Sequence, residues 1–428
     1  YEMVIQNFKS LATTESKKIA LQILETGLRA ANPNNFLKTL VNENQIQIGK
    51  NQLILSDYEK IFVVAYGKAA DTMAKYVSDK IKISRGIVVI PKGFKSLIDD
   101  KKFQIFFSGH PLPNRESVKA SKAIFQLVDN CSINDLVIFL VSGGGSSLVA
   151  LPDGITLLEK KQATQLLLQS GATIDEFNCI RKHLSQIKGG KLVQKIICNW
   201  CALIMSDVVS NDPSVISSGC TYYDKTTDSD AIKIIRKYSL GEKLPKNVIS
   251  HLKGGSSKKI ISQRKLKIRN RIIATNQDCL NAMATKSQSL GLKTKVYSSI
   301  NDDVSISAKK LVEMIPTKKN SCVIFGGEST VHVKGNGKGG RNQELVLQIS
   351  KLIHNSNNIL ISSIATDGID GNTKYSGALI ENNLIKPKII SHFLKTNNSN
   401  SFFKKYGGLI KTGHTHFNLM DIGLILKY

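Results

Sequence analysis

What the 428 residues lack narrows the reading first. No apolar run approaches the roughly 20 residues that cross a bilayer. The longest, such as 61–65 and 137–141, are only strand-sized, so no membrane partner is expected. No basic segment followed by an apolar stretch and a small-residue cleavage site opens the sequence, and the cytoplasm is the expected location. The seven cysteines are odd in number and scattered, which fits reduced thiols rather than a disulfide framework. Cys198 and Cys201 form a C-x-x-C, but no second pair accompanies them, so a metal or redox site is not expected there. Acidic residues are scarce: 33 Asp and Glu stand against 59 Lys and Arg, a formal charge of +26. Such an excess raises nucleic acid as a partner. Most of it is Lys spread along helix faces rather than Arg interleaved with aromatic residues, so a solvated surface accounts for it and nucleic acid is not expected to bind.

What is present reads as a globular α/β chain. A hydrophobic content of 41% over this length supports two domains, each with its own core. After a helical stretch at 6–31, strand and helix patterns alternate: strands at 60–66, 86–90, 103–107 and 136–141, helices at 69–81 and 116–128. That alternation predicts a parallel sheet covered on both faces, with ligands at the carboxyl ends of its strands. Helices follow at 156–171 and 177–187, then a strand at 202–205 that delivers Ser206 and Asp207. The run 253–271 carries eight basic residues and no acidic one and reads as a linker. Alternation restarts near 270, with strands at 271–275, 293–298, 321–325 and 359–365. The expected boundaries are 1–250 for the first domain, 251–270 for the linker and 271–428 for the second.

Two glycine-rich stretches carry the chemistry. Residues 326–347 read GGESTVHVKGNGKGGRNQELVL, predicting a strand over 330–334, a glycine loop at 335–340 and a helix from Asn342. Glycines admit close backbone approach and a helix start offers unpaired N–H donors, so Gly337, Gly339 and Gly340 suit a phosphate or carboxylate. Arg341 then sits where the helix dipole disfavours a cation, which an intervening anion would explain. The loop is not a Walker A sequence, because no Ser or Thr follows Lys338. The second stretch, SGGGSS at 142–147, follows another buried strand and offers Gly143, Gly144, Gly145, Ser146 and Ser147 for the same purpose. Lys68 is a second cation at a helix start. An ammonium and a guanidinium are the two donor types that stabilise a transferring phosphoryl group. Asp207, Glu328, Asp367 and Asp370 follow predicted strand ends, where one or two of them, with Asp207 and Asp367 preferred, would hold Mg²⁺. The competing reading of each is an N-cap or Asx turn. Serine hydrolysis through Ser147 and His183 is the weaker enzymatic alternative, since the G-x-S-x-G form is absent.

These motifs resemble the glycerate kinases of the tartrate-degradation and MOFRL type over nearly the whole chain. The resemblance rests on AYGKAA (65–70), SGHPLPN (108–114), SGGGSSLVALP (142–152), NCIRKHLSQIKGGKL (178–192), SDVVSNDPSVISSG (206–219), GGEST with GNGKGGRNQE (326–344) and TDGIDG (366–371). It implies a Rossmann-like three-layer domain with a parallel sheet, a smaller MOFRL-type α/β domain, and an active site in the cleft between them. It also implies transfer of a phosphoryl group from ATP, with Mg²⁺, to D-glycerate, most often giving 2-phosphoglycerate, in a monomer or homodimer. By motif position the family's catalytic lysine falls on Lys68 and its arginine on Arg341, with Asp207 also catalytic. Glu328, Asn418 and Ser142 fall on substrate-binding positions. Near the carboxyl terminus the family's small-residue loop, TG-P-T-G-TN, is replaced by Thr412-Gly413-His414-Thr415-His416-Phe417-Asn418, and Cys220 stands where the family commonly has Pro.

Overall fold

The computed structural model describes residues 3–194, 196–255, 269–354, 356–381 and 385–428, so most of the basic run, 256–268, lies outside the described residues. The chain divides into two compact units, one of residues 36–206 and 210–273, the other of residues 1–35, 207–209 and 274–428. None of the described helices is long and apolar enough to cross a membrane.

In the first unit a small hairpin, β1 (Gln45–Ile48) and β2 (Asn51–Ile54), precedes a six-stranded sheet. Its strands are β3 (Ile61–Tyr66), β4 (Arg85–Pro91), β5 (Phe103–Ser108), β6 (Leu136–Val141), β7 (Asn199–Met205) and β8 (Asn270–Ala274). They lie in the order β5-β4-β3-β6-β7-β8, and the pairs from β5 through to β7 are all parallel. Every residue of β6 is buried, as expected of a strand covered on both faces. The sequence therefore shows a continuous apolar run there rather than alternation. The chain winds outward from β3 in one direction, then returns to its other side with β6. At that reversal neighbouring connections leave in opposite directions, and the carboxyl ends of β3 and β6 are the place where sheets of this kind gather their ligands. Helix starts are sharply set: Asn114 with Ser117, Thr156 with Glu159, Thr173 with Glu176 and Thr227 with Asp230 form reciprocal capping boxes, each satisfying two otherwise orphaned donors.

The second unit holds β9 (Lys293–Ile300), β10 (Ser321–Gly327), β11 (Ile359–Ala365), β12 (Gly377–Glu381), β13 (Leu409–Ile410) and β14 (Asp421–Lys427). Their order is β13-β12-β11-β14-β10-β9. Only β9 and β10 run parallel; β14 enters antiparallel between β10 and β11. This brings Asp421 opposite both Gly327 and Ala365. The sequence reading missed β12, β13 and β14. It also expected a strand at 330–334, where the chain is irregular and only Thr330 bridges, to Asp303.

Residues 1–35, expected with the first domain, pack with 274–428 instead. Hydrogen bonds account for this: the Gln6 N–H donates to Lys411 O (2.8 Å), the Gln6 side chain to Thr412 O (2.9 Å) and Asn7 to Leu409 O (2.9 Å). The helix Glu15–Ala30 lies so close to its neighbours that a Cβ on Gly27 would stand 2.7 Å from Met283 Cγ and 2.8 Å from Ile422 Cδ1.

The inserted strand depends on Gly423, where a Cβ would stand 2.2 Å from the Phe325 ring and 2.6 Å from Ser362 O. Gly423→Val should lower the urea midpoint by a cost of about 1–3 kcal/mol, the range for overpacking a filled core. An unchanged midpoint would show that β14 has room to shift.

Candidate active site

At the reversal of the first sheet, two strand ends are stitched together by backbone. Ser142 N donates to Tyr66 O (3.1 Å), Lys68 N to Gly143 O (2.9 Å), and Ala69 N to Ser142 Oγ (3.0 Å). The approach is close enough to require glycine at 67: its φ is +127°, and a Cβ would meet Ser142 Oγ at 2.1 Å. Beyond β6 the chain turns through Gly144, with φ +87°, into one short helical turn, Gly145–Leu148. Ser217 Oγ donates to Ser142 O (2.8 Å), Ser146 Oγ and Ser218 Oγ share a hydrogen bond (2.8 Å), and Arg181 Nη2 reaches Ser146 O (3.4 Å). Among the described residues no protein acceptor meets the N–H groups of Gly143, Gly144, Gly145 and Ser146. A Cβ on Gly144 would stand 3.2 Å from His110 Cδ2 and 3.4 Å from Lys68 Cγ. Lys68 and His110 therefore lie beside Gly144 in this turn. Ser142 itself is fully buried, and its oxygen serves the stitch.

The second glycine loop differs in the direction of its donors. Lys334 N and Gly335 N donate to Asn397 Oδ1 (2.7 and 3.0 Å), Lys338 N to Asn398 Oδ1 (3.2 Å) and Gly339 N to Asn372 Oδ1 (3.0 Å). Gly337 N donates to Thr396 O (3.0 Å). At the helix start, Asn342 N and Gln343 N are taken by Asp370 Oδ1 and Oδ2 (3.0 and 2.9 Å). The anion expected at this helix start is thus supplied by the protein's own Asp370. The glycines serve contact: a Cβ on Gly340 would stand 2.2 Å from Asp370 Cγ, and one on Gly337 2.5 Å from Thr396 O. Burial pushes the Asp370 carboxyl up to about 6, against the Gln343 and Asn342 N–H groups that favour its charge.

Arg341 opens the same helix. Its Nε and Nη2 donate to Asp421 Oδ2 and Oδ1 (2.5 and 3.0 Å), and Nη1 pairs with Glu328 Oε1 (2.5 Å). Burial works against its charge, but Asp421, Glu328 and Asp367 outweigh it and hold the guanidinium well above its ordinary pKa. The side chain keeps 30% of its surface exposed. Asp421 escapes a reading of the sequence because it belongs to no motif and reaches Arg341 only through the insertion of β14. Asp207 falls within Asp207–Val209, a short stretch that groups with this second unit although both flanking segments belong to the first. Asn418 is buried, its Oδ1 accepting from Met420 N (3.3 Å). In the divergent loop before it, Phe417 is buried and His416 takes a left-handed φ of +60°.

Among the described residues no three His, Cys, Asp or Glu side chains gather as a metal site. Asp367 Oδ1 accepts from Ile369 N (3.1 Å). The hydrolytic alternative fails on geometry. Ser147 Oγ donates to Gly144 O (3.1 Å), while the His183 ring is held by Asp228 Oδ1 (2.6 Å) and Thr226 Oγ1 (3.2 Å). All seven cysteines are free and buried.

Two family models match the chain: a domain of unknown function, DUF4147, over residues 19–253, and the MOFRL family over residues 321–421. The chain is 35% identical to D-glycerate 2-kinase of Thermotoga maritima, covering 96% of this chain and 98% of that protein. It is 33% identical to glycerate 2-kinase of Pyrococcus horikoshii, covering 95% and 96%. The crystal structure of a glycerate kinase from Thermotoga maritima superposes with a TM-score of 0.80 at 32% identity, covering 97% of this chain and all of that one.

Asp370 supplies a pH test. Its pKa is raised in the fold, so its contribution to stability is fully present below its ordinary value near 3.8 and is lost as pH rises through about 6. The stability of the wild type relative to Asp370→Asn, measured by urea unfolding, should therefore rise by on the order of 1–3 kcal/mol between pH 7 and pH 4. A flat or opposite difference would show that the carboxyl is not held toward its neutral form.

Proposed function

The chain belongs to the glycerate 2-kinase family, and from that membership we propose that it transfers the γ-phosphoryl group of ATP to the 2-hydroxyl of D-glycerate, giving 2-phosphoglycerate and ADP. The observation that carries this reading is the set of four acceptor-free N–H groups at 143–146, beside Lys68, at the switch point of a parallel sheet. Backbone donors in a turn favour a polyanion, and ligands of such sheets gather at this place.

The roles follow from the chemistry of each group. A transferring phosphoryl group spreads negative charge over its oxygens and needs little covalent help, so positioning and neutralisation supply most of the catalysis. Lys68 supplies a compact charge beside the loop. Arg341 supplies a planar fork, and its bidentate bond to Asp421 fixes the orientation of that fork before any substrate arrives. Glu328, which is 42% exposed, is the more easily displaced of the two partners, so the Nη1 edge is the one an incoming anion would take. Mg²⁺ needs only one or two carboxylates when phosphates complete its coordination, which fits Asp207 and Asp367. Bound there, it would supply positive charge against the negative charge of the phosphates. Asn418 and Glu328 are the groups left to recognise the glycerate hydroxyls and carboxylate.

A coupled ADP-release assay over small hydroxy acids should select D-glycerate, and enolase added directly should then form phosphoenolpyruvate. A requirement for a mutase before enolase would assign the 3-hydroxyl instead. Lys68→Ala and Arg341→Ala should each lower kcat by at least about 10²-fold, more than they raise KM, since an arginine on this charge contributes roughly 10³–10⁵ in kcat. Arg341→Lys should recover only part of the loss. Near-normal kcat in a folded variant would remove that residue from the reaction.

A further inference from the structure

Behind the donor loop lies a buried ammonium that the roles above do not use. Lys188 is fully buried and, among the described residues, its Nζ has no hydrogen-bond partner. Its basic neighbours are each provided for. Lys160 Nζ donates to Leu184 O (2.8 Å) and Lys191 Nζ to Ser185 O (2.7 Å). Lys182 pairs with Asp224 (3.5 Å), and Arg181 reaches Ser146 O while lying over the Phe177 ring. An unpaired charge in such a place costs stability unless something supplies the opposite sign.

The backbone shows what lies next to it. Gly189 N donates to Ser218 O (3.1 Å) and Gly190 N to Gly219 O (2.8 Å), so residues 188–190 run against 218–219. Ser217 and Ser218 in turn hold Ser142 O and Ser146 Oγ. Contacts therefore run from the backbone of 189–190 through 217–219 to residues 142 and 146, which bound the acceptor-free donors of 143–146. Burial foremost, with Arg181 and Lys182 adding to it and Cys220 opposing it, brings the Lys188 ammonium down to about 8, the response of a cation held without its counter-charge.

We infer that Lys188 is a positioning residue for the nucleotide: its buried, unpaired ammonium supplies a fixed positive field behind residues 143–146 that is compensated only when a phosphate occupies those N–H groups. The inference rests on the phosphoryl-transfer reading above and adds to it a group that touches no substrate. A short-range charge in a low-dielectric interior acts across several ångströms with little screening, so contact is not required. It also predicts a trade: the lysine weakens the empty protein and strengthens the loaded one.

The test uses the full chain with Lys188→Met, which keeps the length of the side chain and removes the charge, and Lys188→Arg, which keeps the charge. Ligand-free Lys188→Met should melt at or above the wild-type temperature, while its affinity for ADP and its KM for ATP should worsen by about tenfold or more, with the KM for D-glycerate unchanged. Inorganic phosphate should raise the melting temperature of the wild type and of Lys188→Arg, and that of Lys188→Met much less. A ligand-free Lys188→Met that is less stable than the wild type or does not fold, or one with wild-type ADP affinity, would make Lys188 structural and overturn the inference. So would a defect confined to the KM for D-glycerate. Wild-type turnover of D-glycerate in the same assay keeps the kinase reading separate from these outcomes.

Discussion

The junction between the ends of β3 and β6 is the constraint on which the first unit's chemistry depends. Lys68 N and Ala69 N spend their hydrogen bonds on Gly143 O and Ser142 Oγ, so the two connections are locked side by side while the next four N–H groups are left without a protein acceptor among the described residues. Had Gly67 carried a Cβ, the strands could not approach and the donors could not be presented together. The acceptor-free amides of the loop are thus a by-product of how tightly its base is closed. The serines at 146, 217 and 218 then hold the loop from below without using its amides.

Two glycine-rich loops of similar composition therefore do opposite things. In 143–146 the amides meet no protein acceptor among the described residues; in 335–340 the glycines let the chain press against residues 370, 396, 397 and 399, with the amides of Gly335, Gly337, Lys338 and Gly339 taken by Asn397, Thr396, Asn398 and Asn372. Composition is blind to this difference, because glycine serves both close approach to a ligand and close approach to protein. What separates the loops is whether a buried acceptor stands opposite. Asp370 plays at the start of the Arg341–Leu352 helix the part a bound anion would play, and Arg341 is turned instead toward Asp421 and Glu328.

Much of the first sheet was legible in the sequence, since its strands are short, apolar throughout in the central pair β3 and β6, and punctuated by glycine and helix caps, and the positions of Lys68 and of 142–147 follow from strand ends alone. Arg341 was legible as a cation at a helix start, but its partner was not. Asp421 opens a strand that the sequence offers no reason to place between β10 and β11. The same limit hid the placement of residues 1–35: an amphipathic helix records that it has a buried face, not which distant segment covers it. The strand expected at 330–334 failed for a local reason. Its alternation is real, but Asn397 and Asp302 take the amides that a neighbouring strand would have needed.

The position of β14 has a consequence for how the chain matures. Residues 36–273 close their own sheet, so that unit has all its strands once they have left the ribosome. The other unit must wait, because its middle strand is residues 421–427 and its covering helix is residues 15–30. At about 5–20 residues per second, the helix Glu15–Ala30 spends roughly 20–80 s without the partners Met283 and Ile422 both in place. From the completion of β11 at residue 365 to that of β14 at residue 427, roughly 3–12 s at that rate, β10 and β11 have no strand between them, and their unpaired edges are the part of the nascent chain most in need of chaperone cover.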